Sequence, residues 1–300
     1  MAFDSPCKKR QQPMVAARFL AVVLGTGLYL GATTLVANAA DLALTWQSAN
    51  DSPNDGYNSG VVGAKSSYEL HRLLFAQDST RLYFAIDGNL PITGVADSVA
   101  ADGNVGLGDL LLNFTDKSLA EASASGSLFG IRFAATNDSG VAGTGAFGNV
   151  TAKSVTSINN GFNSLNSYNA AVGAVGGTPS IGSFAANDAY FNPAGPILNS
   201  IASGTKTGDI NLLSVSDLAV LGLNLSPGSV QGKNPVGFSV DKAFLTTGNF
   251  IASIFAECGN DGVAIQSEAV PEPTTMAGMG LAGMGLAAFK RRQKKRSARA

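Results

Sequence analysis

The chain has 300 residues, of which 45% are apolar and 14% charged, with 36 glycines; that charge content is well under the roughly 25% of an ordinary soluble domain. Enough Leu, Ile, Val and Phe remain to build a core, which excludes a disordered acidic chain. The net charge of −1 conceals an asymmetry: cations gather at both ends, and residues 41–289 hold 20 acidic against 9 basic side chains, a body of net −11 that excludes nucleic-acid binding there, since phosphate contacts need a basic face.

The first segment carries Lys8, Lys9, Arg10 and Arg18, then an apolar stretch from Phe19 to Leu35, then Ala37-Asn38-Ala39. Basic, apolar and small-x-small regions in that order predict a signal peptide over residues 1–39, a helix that signal peptidase removes after reading Ala37 and Ala39. The competing reading, a permanent anchor, is disfavoured because glycines and threonines make the stretch weakly apolar. Removal takes Cys7 with it and leaves Cys258, which cannot form an internal disulfide. A small, partly buried residue at a strand end is favoured there over a reactive thiol.

Residues 40–269 read as an ectodomain. Strands are predicted at Leu42–Trp46, Tyr68–Ala76, Arg81–Asp87, Gly108–Phe114, Leu128–Ala134, Val236–Val240 and Phe250–Glu257. Leu82, Phe84 and Ile86 fall on one face by the period of two. Clusters such as Asn54-Asp55-Gly56, Asp102-Gly103-Asn104 and Gly259-Asn260-Asp261-Gly262 punctuate them. Thr156–Thr207, rich in Asn, Ser, Gly and Ala, reads as a long loop excursion with short elements and not as a separate domain. Ser214–Leu223 is the best helix, with Ser216 as its cap. The expected fold is all-β, a jelly-roll-like β-sandwich.

Residues 270–300 form a third region. Val270-Pro271-Glu272-Pro273 leads to an apolar stretch, Thr274–Phe289, and then to Lys290, Arg291, Arg292, Lys294, Lys295 and Arg296. The two prolines remove two backbone donors and keep the segment extended. Sixteen helical residues span roughly 24 Å, a short transmembrane helix for a hydrocarbon core of ~30 Å, with snorkelling to close the gap. The basic cluster belongs on the cytoplasmic side, so the body faces outward.

This tripartite tail resembles the PEP-CTERM sorting signal. The resemblance implies recognition at Pro271, Glu272 and Pro273 by a membrane protease-transpeptidase, the exosortase. Asp51–Gly56, Leu82–Ile86, Gly108–Phe114 and Glu257–Asp261 are also similar to a group of exosortase-dependent surface proteins, a resemblance that implies a location and carries over no chemistry.

No catalytic set assembles. His71 is the single histidine and reads as a solvent-facing strand residue; a Ser-His-Asp triad or a zinc site finds no support. No cofactor is expected. Calcium is the best small-ligand candidate, through Asp102, Asn104 and Asp109, or through Asp51, Asn54 and Asp55. Neither set has EF-hand spacing, and a simple turn-forming role is favoured for both. The chain therefore reads as a non-enzymatic exported surface or matrix protein. It would pass through a cytoplasmic-membrane intermediate, and extracellular polysaccharide is a candidate partner. The alternative is a carbohydrate-binding module or secreted carbohydrate-active enzyme, favoured if Trp46 and Tyr57 form an exposed platform and disfavoured if they are buried.

Overall fold

The computed structural model describes residues 43–225 and 232–269. The signal segment, the apolar stretch and the basic cluster lie outside the described residues, within which no helix is long and apolar enough to cross a membrane.

The fold is all-β with short helices. In chain order come β1 (Gln47–Asn50), β2 (Leu70–Gln77), β3 (Arg81–Gly88), the two-residue pair β4 (Val95–Ala96) and β5 (Asn104–Val105), β6 (Leu110–Asn113), β7 (Leu128–Arg132) and β8 (Gly145–Lys153). Then follow the short pair β9 (Ser180–Ile181) and β10 (Phe184–Ala185), β11 (Ser200–Gly208), β12 (Ile210–Leu213), β13 (Val236–Asp241), β14 (Gly248–Phe255) and β15 (Gly262–Ala269). The helices are α1 (Leu119–Ala124), α2 (Leu165–Ala174) and α3 (Val215–Val220).

Two antiparallel sheets dominate, one ordered β1-β2-β3-β13-β12 and the other β11-β8-β7-β6-β14-β15. Their inner faces share one core. Leu73, Phe75, Leu82, Phe84, Ile86 and Phe238 of the first sheet pack with Leu110, Leu112, Ile131, Phe250, Ile254 and Val263 of the second. The Phe250 ring meets Phe75 at 5.1 Å in an edge-on pair, within the favourable range for aromatic contacts. The alternation expected at Leu82, Phe84 and Ile86 is the one observed. The even-numbered side chains face this core, while Ala85 turns outward to join Leu74 and Leu218 of α3.

Sequence-adjacent strands lie side by side in β1-β2-β3 and β6-β7-β8. The jelly-roll-like connectivity is therefore not the one seen. Short turns explain why: Asp78 Oδ1 accepts the amides of Thr80 and Arg81 at 2.7 Å each and closes the β2–β3 hairpin within three residues. Periodicity reports that a strand exists, not which neighbour it takes.

Other expectations are corrected. The first strand starts at Gln47, because the Leu44 amide and Trp46 Nε1 both donate to Leu221 O instead of to a sheet. The 156–207 stretch is more regular than a loop excursion with short elements: it contains the ten-residue α2 and runs into β11, a nine-residue strand paired with β8. Leu165, Tyr168, Val172, Phe191 and Ile197 cover the outer face of the larger sheet over Leu111 and Phe255, so burial orders this segment despite its polar composition. The cap of α3 is Ser214, not Ser216. Ser214 Oγ accepts from Asp217 N while the Asp217 carboxylate accepts from Ser214 N, a reciprocal capping box.

Candidate functional site

The loop after β1 and the ends of β2, β9 and β15 converge on four carboxylates, Asp51, Asp55, Glu69 and Asp261. Asp51 N donates to His71 O at 2.8 Å, which extends the β1–β2 pairing by one bond and sets the Asp51 side chain at the sheet end. Asp51 Oδ1 accepts from Gly182 N at 2.8 Å and from Ser180 Oγ. Asp55 Oδ2 accepts from Ser180 N at 2.8 Å. Asp261 Oδ2 accepts from Leu70 N and its Oδ1 from Gly262 N, both at 2.7 Å. Glu69 Oε2 accepts from Gly56 N at 2.9 Å. Gly56 allows this approach, since a Cβ there would stand 2.4 Å from Glu69 Cα.

Each carboxylate is thus aimed by backbone amides, and one oxygen of several is left over. Asp51 Oδ2, Asp55 Oδ1 and Glu69 Oε1 have no hydrogen-bond partner. Asp55 and Glu69 are 0% exposed and Asp261 1%. One oxygen from each of Asp51, Asp55 and Asp261 lies within 4.8 Å of the others. Two ionised carboxylates at that separation repel by about 3 kcal/mol at an effective dielectric near 20. No lysine or arginine pairs with any of the four among the described residues.

The electrostatic result is uniform in direction. Burial raises Asp51 above the usual carboxylate range. Burial first, and then the Asp51 charge, raise Asp55 and Glu69. Burial, followed by the Asp55 and Asp51 charges, raises Asp261. Tyr168 closes the inner side: its hydroxyl is 3.2 Å from Asp55 O and 3.4 Å from Asp261 Oδ1.

His71 is 3% exposed, not solvent-facing; its Nδ1 lies 3.7 Å from Glu69 Oε1, and neither ring nitrogen has a hydrogen-bond partner. Strand alternation could not foresee this, because both faces of β2 are covered. Burial lowers the affinity of the ring for a proton.

Of the calcium candidates read from the sequence, Asp51 and Asp55 are brought together. Asn54 lies beside them, but its Oδ1 is taken by Ser52 Oγ and Thr178 N. Asp102 sits on an exposed turn and accepts from Asn104 N at 2.9 Å. Asp109 is buried, held by Asn137 Nδ2 and Ile201 N, and joins no cluster of potential ligands among the described residues. Glu69 and Asp261 escaped sequence reasoning. The turn signal at Gly259-Asn260-Asp261-Gly262 marks Asp261 as a turn residue, but nothing local links it to Asp55.

Glu257 is 1% exposed, with Oε2 accepting from Gly106 N at 2.6 Å and Oε1 from Asp138 N; burial pushes it up to about 7. Beside it, Cys258 is buried and free, and burial pushes its thiol well above the usual range, which makes it inert. A cavity of about 240 Å³ next to the carboxylates is lined by Tyr57, Asn58, Tyr68, Asp97, Phe162 and Asn260. Tyr57 stands edge-on to Phe162 at 5.4 Å. Trp46 packs against the Leu74–Leu218 cluster, so the two aromatics form no shared platform.

Comparison with known proteins adds one finding. Residues 269–295 match the PEP-CTERM protein-sorting motif. No curated protein and no solved structure matches the chain. The matched segment contains Pro271, Glu272 and Pro273 and begins at Ala269, the last residue of β15.

Proposed function

From the PEP-CTERM protein-sorting motif at residues 269–295, which marks the chain as an exosortase-directed surface protein, we propose that it is a non-enzymatic component of the cell surface or extracellular matrix. Its route has three steps. Signal peptidase cuts after Ala39. The Thr274–Phe289 stretch holds the chain in the cytoplasmic membrane with Lys290–Arg296 inside. An exosortase then processes the chain near Pro271-Glu272-Pro273 and releases or transfers the body.

The observation that carries this reading is where the motif starts. β15 is an edge strand of the larger sheet, and the motif begins at its last residue with Pro271-Glu272-Pro273 beyond it, so processing beyond Ala269 removes no strand from the body. The body also assembles no nucleophile, base and orienting group among its described residues: His71 is buried without a hydrogen-bonded acid, and Cys258 is buried with a raised thiol. That supports a binding or structural role.

The test is the intact mass of the mature protein from an exosortase-containing host. Wild type should lose residues at both ends; Pro271→Ala/Pro273→Ala should retain the C-terminal segment. An unprocessed wild-type C-terminus in that host overturns the reading.

Carbohydrate binding is the second reading, favoured by the cavity with Tyr57, Phe162 and several asparagine side chains. Amide groups beside aromatic faces suit sugar hydroxyls and C–H faces. A glycan array with full-length protein separates this from a purely structural role.

A further inference from the structure

We propose that Asp51, Asp55 and Asp261, with Glu69 beside them, bind one calcium ion. Three carboxylate oxygens lie within 4.8 Å of one another. Three oxygens no more than 4.8 Å apart share a centre within about 2.8 Å of each, so a small inward shift brings all three to the ~2.3–2.6 Å of calcium coordination.

A second observation is independent of that proximity. Asp55 Oδ1 and Glu69 Oε1 belong to side chains with no exposure at all and have no donor. The protein pays nothing back for them internally, although a buried acceptor without a partner is costly. Their neighbours on the same carboxyl groups, Asp55 Oδ2 and Glu69 Oε2, are each held by a backbone amide. The fold therefore orients these carboxyls and leaves Asp55 Oδ1 without any internal partner, while Glu69 Oε1 faces only His71 Nδ1, 3.7 Å away.

Donor chemistry selects the ion. The set is oxygen throughout, which suits a hard cation; zinc favours nitrogen and sulfur. Magnesium demands near-ideal octahedral geometry at ~2.1 Å, whereas calcium accepts irregular coordination. Carboxyls that come from three backbone segments and are each held by an amide suit irregular calcium coordination better than an octahedron. The ion would cross-link the turn after β1, the residue before β2 and the β14–β15 turn. With only Asp51 partly exposed, this is a stabilising site and not an open catalytic one. The inference does not depend on processing of the tail.

The experiment is calorimetric titration and thermal melting of chelator-stripped full-length protein with CaCl₂. We expect one calcium per chain and a rise in Tm of about 5 °C or more once calcium far exceeds its Kd. Asp55→Asn is the diagnostic variant, because asparagine keeps an acceptor for Ser180 N and puts an NH₂ where Oδ1 stood. Without calcium it should melt at or above wild type, and the calcium shift should be lost. Asp51→Asn, which likewise retains its acceptor for Gly182 N, gives the same result should Asp55→Asn fail to fold. Asp102→Asn, on its exposed turn, should keep the full shift. No heat and no shift in wild type at millimolar calcium overturns the proposal. So does an undiminished shift in a folded Asp55→Asn or Asp51→Asn protein, or an equal shift with magnesium at the same concentration.

Discussion

Asp261 Oδ2 accepts the backbone N–H of Leu70 at 2.7 Å across 191 residues of sequence. Leu70 opens β2 of one sheet, and Asp261 sits in the turn that leads into β15 of the other. One buried side chain thus satisfies a strand-end amide that has no place in its own ladder. Asp261→Ala should cost about 2–4 kcal/mol, because it strands the amides of Leu70 and Gly262 in the interior. Denaturant titration would read this as a lower midpoint with an unchanged slope. A loss under 1 kcal/mol would mean that water replaces the carboxylate.

Phe250 is the aromatic hub between the sheets. Its ring lies 5.1 Å from Phe75, 6.3 Å from Phe84 and 5.3 Å from Phe114. Phe250→Ala should destabilise the protein by about 3–5 kcal/mol through lost burial and the cavity left behind. Val99→Ala is the control: with Val99 66% exposed, its change should stay within about 0.5 kcal/mol. Chemical denaturation of the two variants side by side checks the contrast.

The α3 cap separates two serines two positions apart. Ser214→Ala removes the Oγ that accepts from Asp217 N and should cost about 1 kcal/mol. Ser216→Ala leaves the capping box in place and should cost less than half of that. Equal losses would mean that the box contributes nothing.

Glu257 sets a pH dependence. Burial raises it from the usual 4.5 to about 7, so between those values the folded protein keeps a proton that the unfolded chain releases. Its contribution is present in full below about pH 4.5 and is lost as pH rises through 7. In Glu257→Gln that slope disappears. The stability of the variant relative to wild type should therefore climb between pH 4.5 and 7, by up to about 3 kcal/mol. Thermal melts of both proteins across that range measure the difference directly, and a flat difference rejects the shift.

Local chemistry made some features legible without coordinates. The strand at Arg81–Asp87 announces itself through Leu82, Phe84 and Ile86, because the pleat alone dictates which side chains share a face. The sorting motif is likewise local, since Pro271-Glu272-Pro273, an apolar stretch and a basic cluster are contiguous in the chain. The turn oxygens of Asp51 and Asp55 were visible for the same reason.

Other features waited for the tertiary structure. β8 and β11, rich in Gly, Ala, Ser and Thr, carry little alternation and are strands because they pair with each other through six residue pairs, interrupted by register shifts. His71 looked exposed, but the strand that carries it is covered on both faces. Glu69 and Asp261 joined Asp51 and Asp55 only because two sheets close on each other. A sequence states which groups can accept a hydrogen bond or a cation; burial and long-range contact decide which of them are left needing one.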